Sequence, residues 1–283
     1  MTDGLPPLRD VIARHDLAAK KTLGQHFLLD LNITRKIARL AGVAAGDLVL
    51  EIGPGPGGLT RALLEAGADV IAVERDARCA AALEEIAAAY PGKFTLVEDD
   101  ALRVDERALV KDRAAKIVAN LPYNISTELL IKWLRANHAG APPLWSRMAL
   151  MFQKEVAERI LAAPGSKDYG RLSVIAQAAS RPARGFDLPA RAFTPPPKVD
   201  SSVVLFDPAP DTLGDIRALE TVTQAAFGQR RKMLRSSLKS VFTDRLADAL
   251  SQAGVDETAR AEDVTVGQFK TLAQDFSGAN SPR

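Results

Sequence analysis

The chain has 283 residues, 47% of them hydrophobic and 25% charged, with a net charge of +2 and a single cysteine. That length accommodates one large domain and one small one, and the lack of low-complexity tracts or fixed-period repeats excludes a disordered or solenoid chain. No apolar run approaches the roughly 18 residues of a membrane span, and the lone Cys79 excludes an internal disulfide and suits a reducing compartment.

The N-terminal stretch MTDGLPPLRDVIARHD carries charges where a secretory leader needs an apolar core, so the expectation is a soluble, cytoplasmic protein. Residues 1–45 read as a polar arm leading into a helix, LNITRKIARLAGV, whose apolar residues recur at helical spacing. Strands are predicted at LVLEI (48–52), DVIAVE (69–74), FTLVE (94–98), KIVAN (116–120) and RMALMF (147–152). LTRALLEAG, ARCAAALEEIAAAY and STELLIKWLRAN supply helices along the same stretch. Short apolar strands alternating with helices predict βαβ units and a parallel, doubly wound, Rossmann-like α/β sheet. From residue 181 the pattern changes to ARGFDLP and SSVVLFD, two strands close enough in sequence to pair antiparallel at a sheet edge. DPAPD (207–211) reads as a linker, and IRALETVTQAAF, RRKMLRSSLKSVF and RLADALSQAG beyond it read as helices. The expected domains are 1–207, with the arm at 1–45, and a small all-α unit at 208–283.

The turn EIGPGPGGLT (51–60) follows a strand, opens a helix and is answered by Glu74 at the end of the next strand, 21 residues after Gly53. Glycines there allow a tight turn and close approach of a ligand, and the acid can accept from both hydroxyls of a ribose. Gly53, Gly55, Gly57 and Gly58 satisfy the spacings of both dinucleotide and S-adenosylmethionine loops, so the loop alone leaves the ligand open. Asp100, in VEDDAL after the third strand, is placed to accept from the exocyclic amine of an adenine. Ligands of doubly wound sheets lie beyond the carboxyl ends of the strands. Gly53, Glu74, Asp100 and Asn120 all fall at those ends, so four loops converge on one cleft.

VANLPYNIS (118–126) ends a strand with an amide, an imide and an aromatic ring. An aromatic amine such as adenine N6 is a poor nucleophile because its lone pair is delocalised into the ring. Acceptors aimed at its two N–H groups, the Asn120 side-chain oxygen and the Leu121 and Pro122 carbonyls, would pyramidalise the nitrogen and free that pair. Tyr123 offers a flat face for the base, and stacking of this kind contributes roughly 1–3 kcal/mol. The alternative, in which Asn120 caps the next helix and Tyr123 only packs, is weakened because Ser126 and Thr127 stand ready as caps.

Charge is unevenly spread. Residues 221–243 hold Arg230, Arg231, Lys232, Arg235 and Lys239 with no acid, and residues 159–198 hold seven basic residues against Asp168 and Asp187. Such clusters favour polyanions through counterion release, a solvated face being the alternative for either cluster alone.

KKTLGQHFLLD (20–30), EIGPGPGGLT, Glu74, DDA, NLPYNIS, QKEVAERI (153–160), YGRLSV (169–174), FTPPPKVDSSV (193–203) and FGQRRKMLRSSL (227–238) occur in an order that resembles the ribosomal RNA adenine N6,N6-dimethyltransferases, above all the bacterial small-subunit type. The likeness covers nearly the whole chain. NLPY after such a loop is highly specific, whereas the glycine loop alone is not. The resemblance implies a class I methyltransferase sheet, S-adenosyl-L-methionine as cofactor, S-adenosyl-L-homocysteine as product, and no metal. It implies that His26 and Leu28 close over the cofactor, that Gly53 meets its methionine part, and that Glu74 and Asp100 hold ribose and adenine. Asn120, Leu121, Pro122 and Tyr123 match the catalytic loop, with Asn120 also beside the cofactor, and Phe193 is implied as a second aromatic wall against the target base. Arg230, Arg231, Lys232 and Arg235 are expected to bind RNA. Tyr169 and Leu172 read equally as substrate contacts or as core. The implied partner is small-subunit ribosomal RNA within an immature subunit, with the protein acting as a monomer.

Three other readings stay open. A large-subunit methylase of the antibiotic-resistance type shares the first domain, but the YGRLSV and QRRKMLRSSL blocks favour the small-subunit type. A nicotinamide dehydrogenase needs a base near the strand ends, where His26 in the arm is the sole histidine. A mainly RNA-binding assembly factor would not need Asn120 and Tyr123, and both are present.

Overall fold

The structure is a computed structural model and describes residues 4–19, 24–138, 142–209, 213–229 and 231–280. From the N-terminus, α1 (Leu8–Arg14), the two-residue strand β1 (Phe27–Leu28) and α2 (Leu31–Leu40) form the arm and its helix. Then β2 (Leu48–Ile52), α3 (Gly58–Glu65), β3 (Asp69–Glu74), α4 (Ala80–Ala89), β4 (Phe94–Glu98), α5 (Glu106–Val110), β5 (Ala115–Asn120), α6 (Ser126–His138) and β6 (Trp145–Gln153) alternate. After α7 (Lys154–Leu161) and α8 (Arg171–Ala179) come β7 (Ser180–Leu188), β8 (Phe193–Thr194) and β9 (Ser201–Pro208).

The main sheet has seven strands in the order β4-β3-β2-β5-β6-β9-β7. β2 to β6 pair in parallel, and β9 runs antiparallel to β6, with Met148 opposite Phe206 and Gln153 opposite Ser201. The central strands are mostly apolar because helices cover both faces, and all five residues of β2 are buried, Glu51 among them. Asp30, Asp105 and Asp215 accept from backbone N–H groups at the starts of α2, α5 and the helix after the linker, so three helix starts are set by local chemistry. Trp133 and Trp145 are wholly buried, and each indole N–H has a partner, Glu106 Oε1 at 2.8 Å and Trp133 O at 2.9 Å. Gly57 precedes α3 with φ of 86°, and a Cβ there would stand 2.1 Å from Ile86 Cδ1, so the loop needs glycine for packing as well as for backbone shape.

The chain forms two compact units, one of residues 1–157 and 183–207, the other of 158–182 and 208–283. The segment 158–182, assigned from sequence to the first domain, groups with the helical unit. There α8 packs on α9 (Ile216–Gly228) and on α13 (Val266–Asn280), and the Tyr169 hydroxyl donates to Val264 O at 2.9 Å. Tyr169 is 1% exposed, with its ring edge-on to Phe227, so it is core.

RRKMLRSSLKSVF is not one helix. It contains only the single-turn α10 (Leu234–Ser237) and α11 (Lys239–Phe242), followed by α12 (Leu246–Gln252). The N–H groups of Leu234 and Arg235 bond Ala259 O and Glu257 O, and Met233 bridges to Arg260, so long-range partners replace the helical ones. Arg231, Lys232, Arg235 and Lys239 all project into solvent, while Arg230 lies outside the described residues.

Candidate active site

β2 lies between β3 and β5, so the chain leaves β2 on one side of the sheet and returns on the other. A crevice opens beyond strand ends at such a switch point. Here it is a cleft lined by Gly53, Gly55, Glu74, Arg75, the loop Asn120–Tyr123 and the arm residues Gly24, Gln25, His26 and Phe27.

The arm lies directly on the glycine loop. A Cβ on Gly55 would come within 2.9 Å of the Phe27 ring, and one on Gly58 within 2.6 Å of the Leu28 carbonyl oxygen. β1 also pairs with β8, Phe27 opposite Thr194 and Leu28 opposite Phe193. Asp76 ties the arm down further: it accepts from Gln25 Nε2 at 3.0 Å and from the Arg78 guanidinium at 2.6 and 2.9 Å, and Arg78 reaches Ala18 O. Arg78 and Gln25 hold the Asp76 carboxyl down to about 2.

Glu74 is 7% exposed, and its two oxygens accept from Gly55 N at 3.1 Å and Asp76 N at 2.9 Å. Burial pushes its pKa above the ordinary value, against these donors, which favour the charged form. Its placement is fixed, and further lone pairs remain on both oxygens. Behind it Glu51 is fully enclosed and accepts from Thr60 Oγ1 at 2.7 Å; burial, reinforced by nearby Glu74, pushes it up to about 8. Asp100 accepts from Leu102 N at 3.0 Å and pairs with Arg75 at 3.4 Å, so it reaches the cleft wall through Arg75.

Asn120 does not cap α6. Its Nδ2 donates to His26 O at 2.8 Å, and no group among the described residues donates to its Oδ1. Tyr123 stacks on the His26 imidazole, centroids 5.5 Å apart at 26°, and its hydroxyl meets Ser201 Oγ at 2.5 Å. His26 Nδ1 donates in turn to Pro195 O at 2.8 Å. The Pro122 carbonyl accepts from Ile125 N, and Ser126 Oγ donates to Tyr123 O, which closes the turn before α6.

Of the residues singled out from sequence, His26, Gly53, Glu74, Asn120, Leu121, Pro122 and Tyr123 line one cleft. Leu28 borders an adjoining recess with Gly53, Asn120 and Glu51. Phe193 does not join them. Its ring is 2% exposed within the core cluster that holds Leu28, Leu188 and Val203, because pairing of β8 with β1 turns it inward. The ring found against Tyr123 in the cleft is instead that of His26, stacked directly on it. Sequence reasoning missed Gln25, Asp76, Arg75 and Ser201, whose pairings Gln25–Asp76, Arg75–Asp100 and Tyr123–Ser201 join positions distant in the chain. Only the position of Arg75, directly after Glu74, offered a signal.

Likeness to known proteins points the same way. Residues 17–277 match the family described as ribosomal RNA adenine dimethylase. The chain is 58% identical to ribosomal RNA small subunit methyltransferase A of Chelativorans sp. over 97% of this chain and 99% of the relative. It is 57% identical to the protein of the same name from Xanthobacter autotrophicus, over 99% and 96%. A dimethyladenosine transferase from Plasmodium falciparum superposes with a TM-score of 0.76 at 26% identity, covering 89% of this chain and 98% of that one. The 23S rRNA methyltransferase ErmE superposes with a TM-score of 0.66, also at 26% identity, covering 89% and 99%. The chain, whose cleft joins the glycine loop and Glu74 to Asn-Leu-Pro-Tyr and which matches the family model along almost its full length, belongs to the ribosomal RNA adenine dimethylase family.

Proposed function

We propose that this enzyme methylates N6 of two adjacent adenosines near the 3′ end of small-subunit ribosomal RNA, giving N6,N6-dimethyladenosine. The observation that carries the reading is Asn120, held by the arm through its amide nitrogen and left with its oxygen unengaged among the described residues, in the same cleft as Glu74. The names of the full-length relatives favour the small subunit as the source of the RNA.

S-adenosylmethionine fits the cleft better than a dinucleotide does. From Gly53 to Gly57 the loop has no N–H to offer a phosphate: Gly53 donates to Val73 O, Gly55 to Glu74 and Gly57 to Pro54 O, and Pro54 and Pro56 have none. A pyrophosphate needs such donors, whereas a nucleoside needs the carboxylate of Glu74 for its vicinal hydroxyls. When bound, S-adenosylmethionine supplies an electrophilic methyl group. Glu74 and Gly53 would hold it, with Arg75 and Asp100 at its adenine end and Leu28 at the recess.

The chain's own residues then act on the base. Asn120 Oδ1 and the loop carbonyls accept from the amino group and localise its lone pair as positive charge develops, and the Tyr123–His26 pair supplies the flat surface. No strong base is required, because the proton becomes acidic only as the new bond forms. An adenosine in a folded hairpin must leave its stack, at a cost of a few kcal/mol that aromatic stacking offsets. The protein acts as a monomer on RNA within the maturing small subunit, and the exposed Arg231, Lys232 and Arg235 engage the phosphate backbone.

Labelled cofactor incubated with small and with large subunits lacking the modification, followed by mass spectrometry of digested RNA, should yield dimethyladenosine at two neighbouring positions of the small-subunit RNA. Calorimetry should show S-adenosylhomocysteine binding and no NAD binding. Label in large-subunit RNA alone, or binding of NAD alone, would overturn the reading.

A further inference from the structure

We infer that Ser201 is a positioning residue for the transfer, fixing the direction of the Tyr123 ring axis, while the stacked His26 backs the plane, so that the platform for the target adenine stays in place. The inference deepens the function proposed above and rests on it.

A tyrosine ring turns about two side-chain torsions, and a stacked base follows whatever plane the ring adopts. Tyr123 stands in the short loop after β5, where backbone hydrogen bonds alone leave those torsions free. Its hydroxyl, however, meets Ser201 Oγ at 2.5 Å. Ser201 is fully buried, at the first position of β9 and opposite Gln153 of β6. β6 pairs in turn with β5, with Met151 opposite Asn120. The hydrogen bond therefore ties the far end of the Tyr123 ring back to the same rigid sheet from which Asn120 projects. Platform and acceptor are referenced to one frame.

The segment ending at Ser201 also holds the neighbouring ring. Pro195 O accepts from His26 Nδ1 at 2.8 Å, and the imidazole stacks against Tyr123. One end of the 195–201 loop thus anchors the ring behind the platform and the other end anchors the platform. Ser201 touches neither base nor cofactor in this arrangement; it acts through Tyr123. A buried serine whose hydroxyl is engaged by the phenol alone, among the described residues, has no comparable alternative once that phenol is removed.

The test measures transfer to unmodified small subunits with Ser201→Ala, Tyr123→Phe, the double variant and Ser201→Thr. Removing the bond from either end should lower kcat about tenfold, the scale of one lost hydrogen bond. KM for RNA and affinity for S-adenosylhomocysteine should stay at wild-type values, because the basic surface and Glu74 are untouched. The double variant should be no slower than either single one, since both delete the same interaction. Ser201→Thr, which keeps the hydroxyl, should restore the rate. Should Ser201→Ala fail to fold, Tyr123→Phe breaks the same bond from the partly exposed side and reads out alone. A wild-type kcat in Tyr123→Phe, rate losses that multiply in the double variant, or a loss that parallels a fall in cofactor affinity and melting temperature would each overturn the inference. Absence of dimethyladenosine in the wild-type reaction would instead overturn the function on which it rests.

Discussion

Asn120 is a neutral amide whose two ends do different work. The nitrogen is occupied by the His26 carbonyl, which settles which way the oxygen points. In the proposed transfer an acceptor of this kind would stabilise the transition state more than the ground state, because the amino group gains positive charge only as the methyl arrives. Asn120→Ala should lower transfer by on the order of 10²–10³, the scale seen when a preorganised charge-stabilising group is removed, and cofactor affinity should fall much less. Single-turnover rates with saturating cofactor, beside calorimetry, separate the two. Glu51 makes the opposite kind of prediction. Its carboxyl is raised from 4.5 to about 8 by burial, so the folded state keeps a proton that the unfolded chain gives up. Stability should therefore fall as pH rises between about 4.5 and about 8 and level off above that. Glu51→Gln keeps an acceptor for Thr60 without the titration. Urea unfolding of the variant should lose this slope, and an unchanged slope would remove Glu51 as its source.

At the scale of elements, the arm and β8 are the informative case. The sequence pattern located β2, β3 and β4 residue for residue, because continuous apolar runs between glycine turns have few other readings. It also placed Glu74, Gly53 and Asn120 at the strand ends that the sheet brings together. Two-residue strands leave no periodicity to read, so the β1–β8 pair was invisible, and with it the burial of Phe193. The single-turn pieces α10 and α11 escaped for a related reason: RRKMLRSSLKSVF has the composition of a helix, and only pairing with residues 257–260 breaks it. The buried position of Phe193 carries its own expectation. Phe193→Ala should destabilise the fold by about 3–5 kcal/mol through a core cavity, with the β1–β8 pairing loosened. Chemical unfolding measures the first effect, and faster amide exchange at Phe27 and Leu28 the second. A variant of native stability would return Phe193 to the cleft wall. The arm should also respond to acid. Asp76 is held down to about 2, so the stability it contributes is present above the ordinary carboxylate range and fades as pH falls through about 2.

Over the whole molecule, a net charge of +2 conceals a local excess. The residues from 221 to 243 carry no acid, and Arg231, Lys232, Arg235 and Lys239 are all exposed. The ion pair of Arg235 with Glu257 is 3.7 Å long between side chains 51% and 60% exposed, too loose and too wet to neutralise the cluster. In place of a regular helical stripe, the charges sit on a turn and two single-turn helices pinned by backbone bonds to residues 257–260. A surface of that kind suits an irregular run of phosphates and gives no means of reading base edges, so it should contribute affinity without sequence preference. Replacing Arg231, Lys232 and Arg235 with Ala should raise KM for the RNA and leave kcat and S-adenosylhomocysteine affinity at wild-type values. Every phosphate that goes without its cation takes about 0.7 from the slope of log affinity against log salt for single-stranded RNA, so the triple variant should flatten that slope by about 2. Filter binding over a salt series measures it. Parallel slopes for wild type and variant would show that these charges face only water, and a fall in kcat with unchanged salt dependence would show that they help place the base itself.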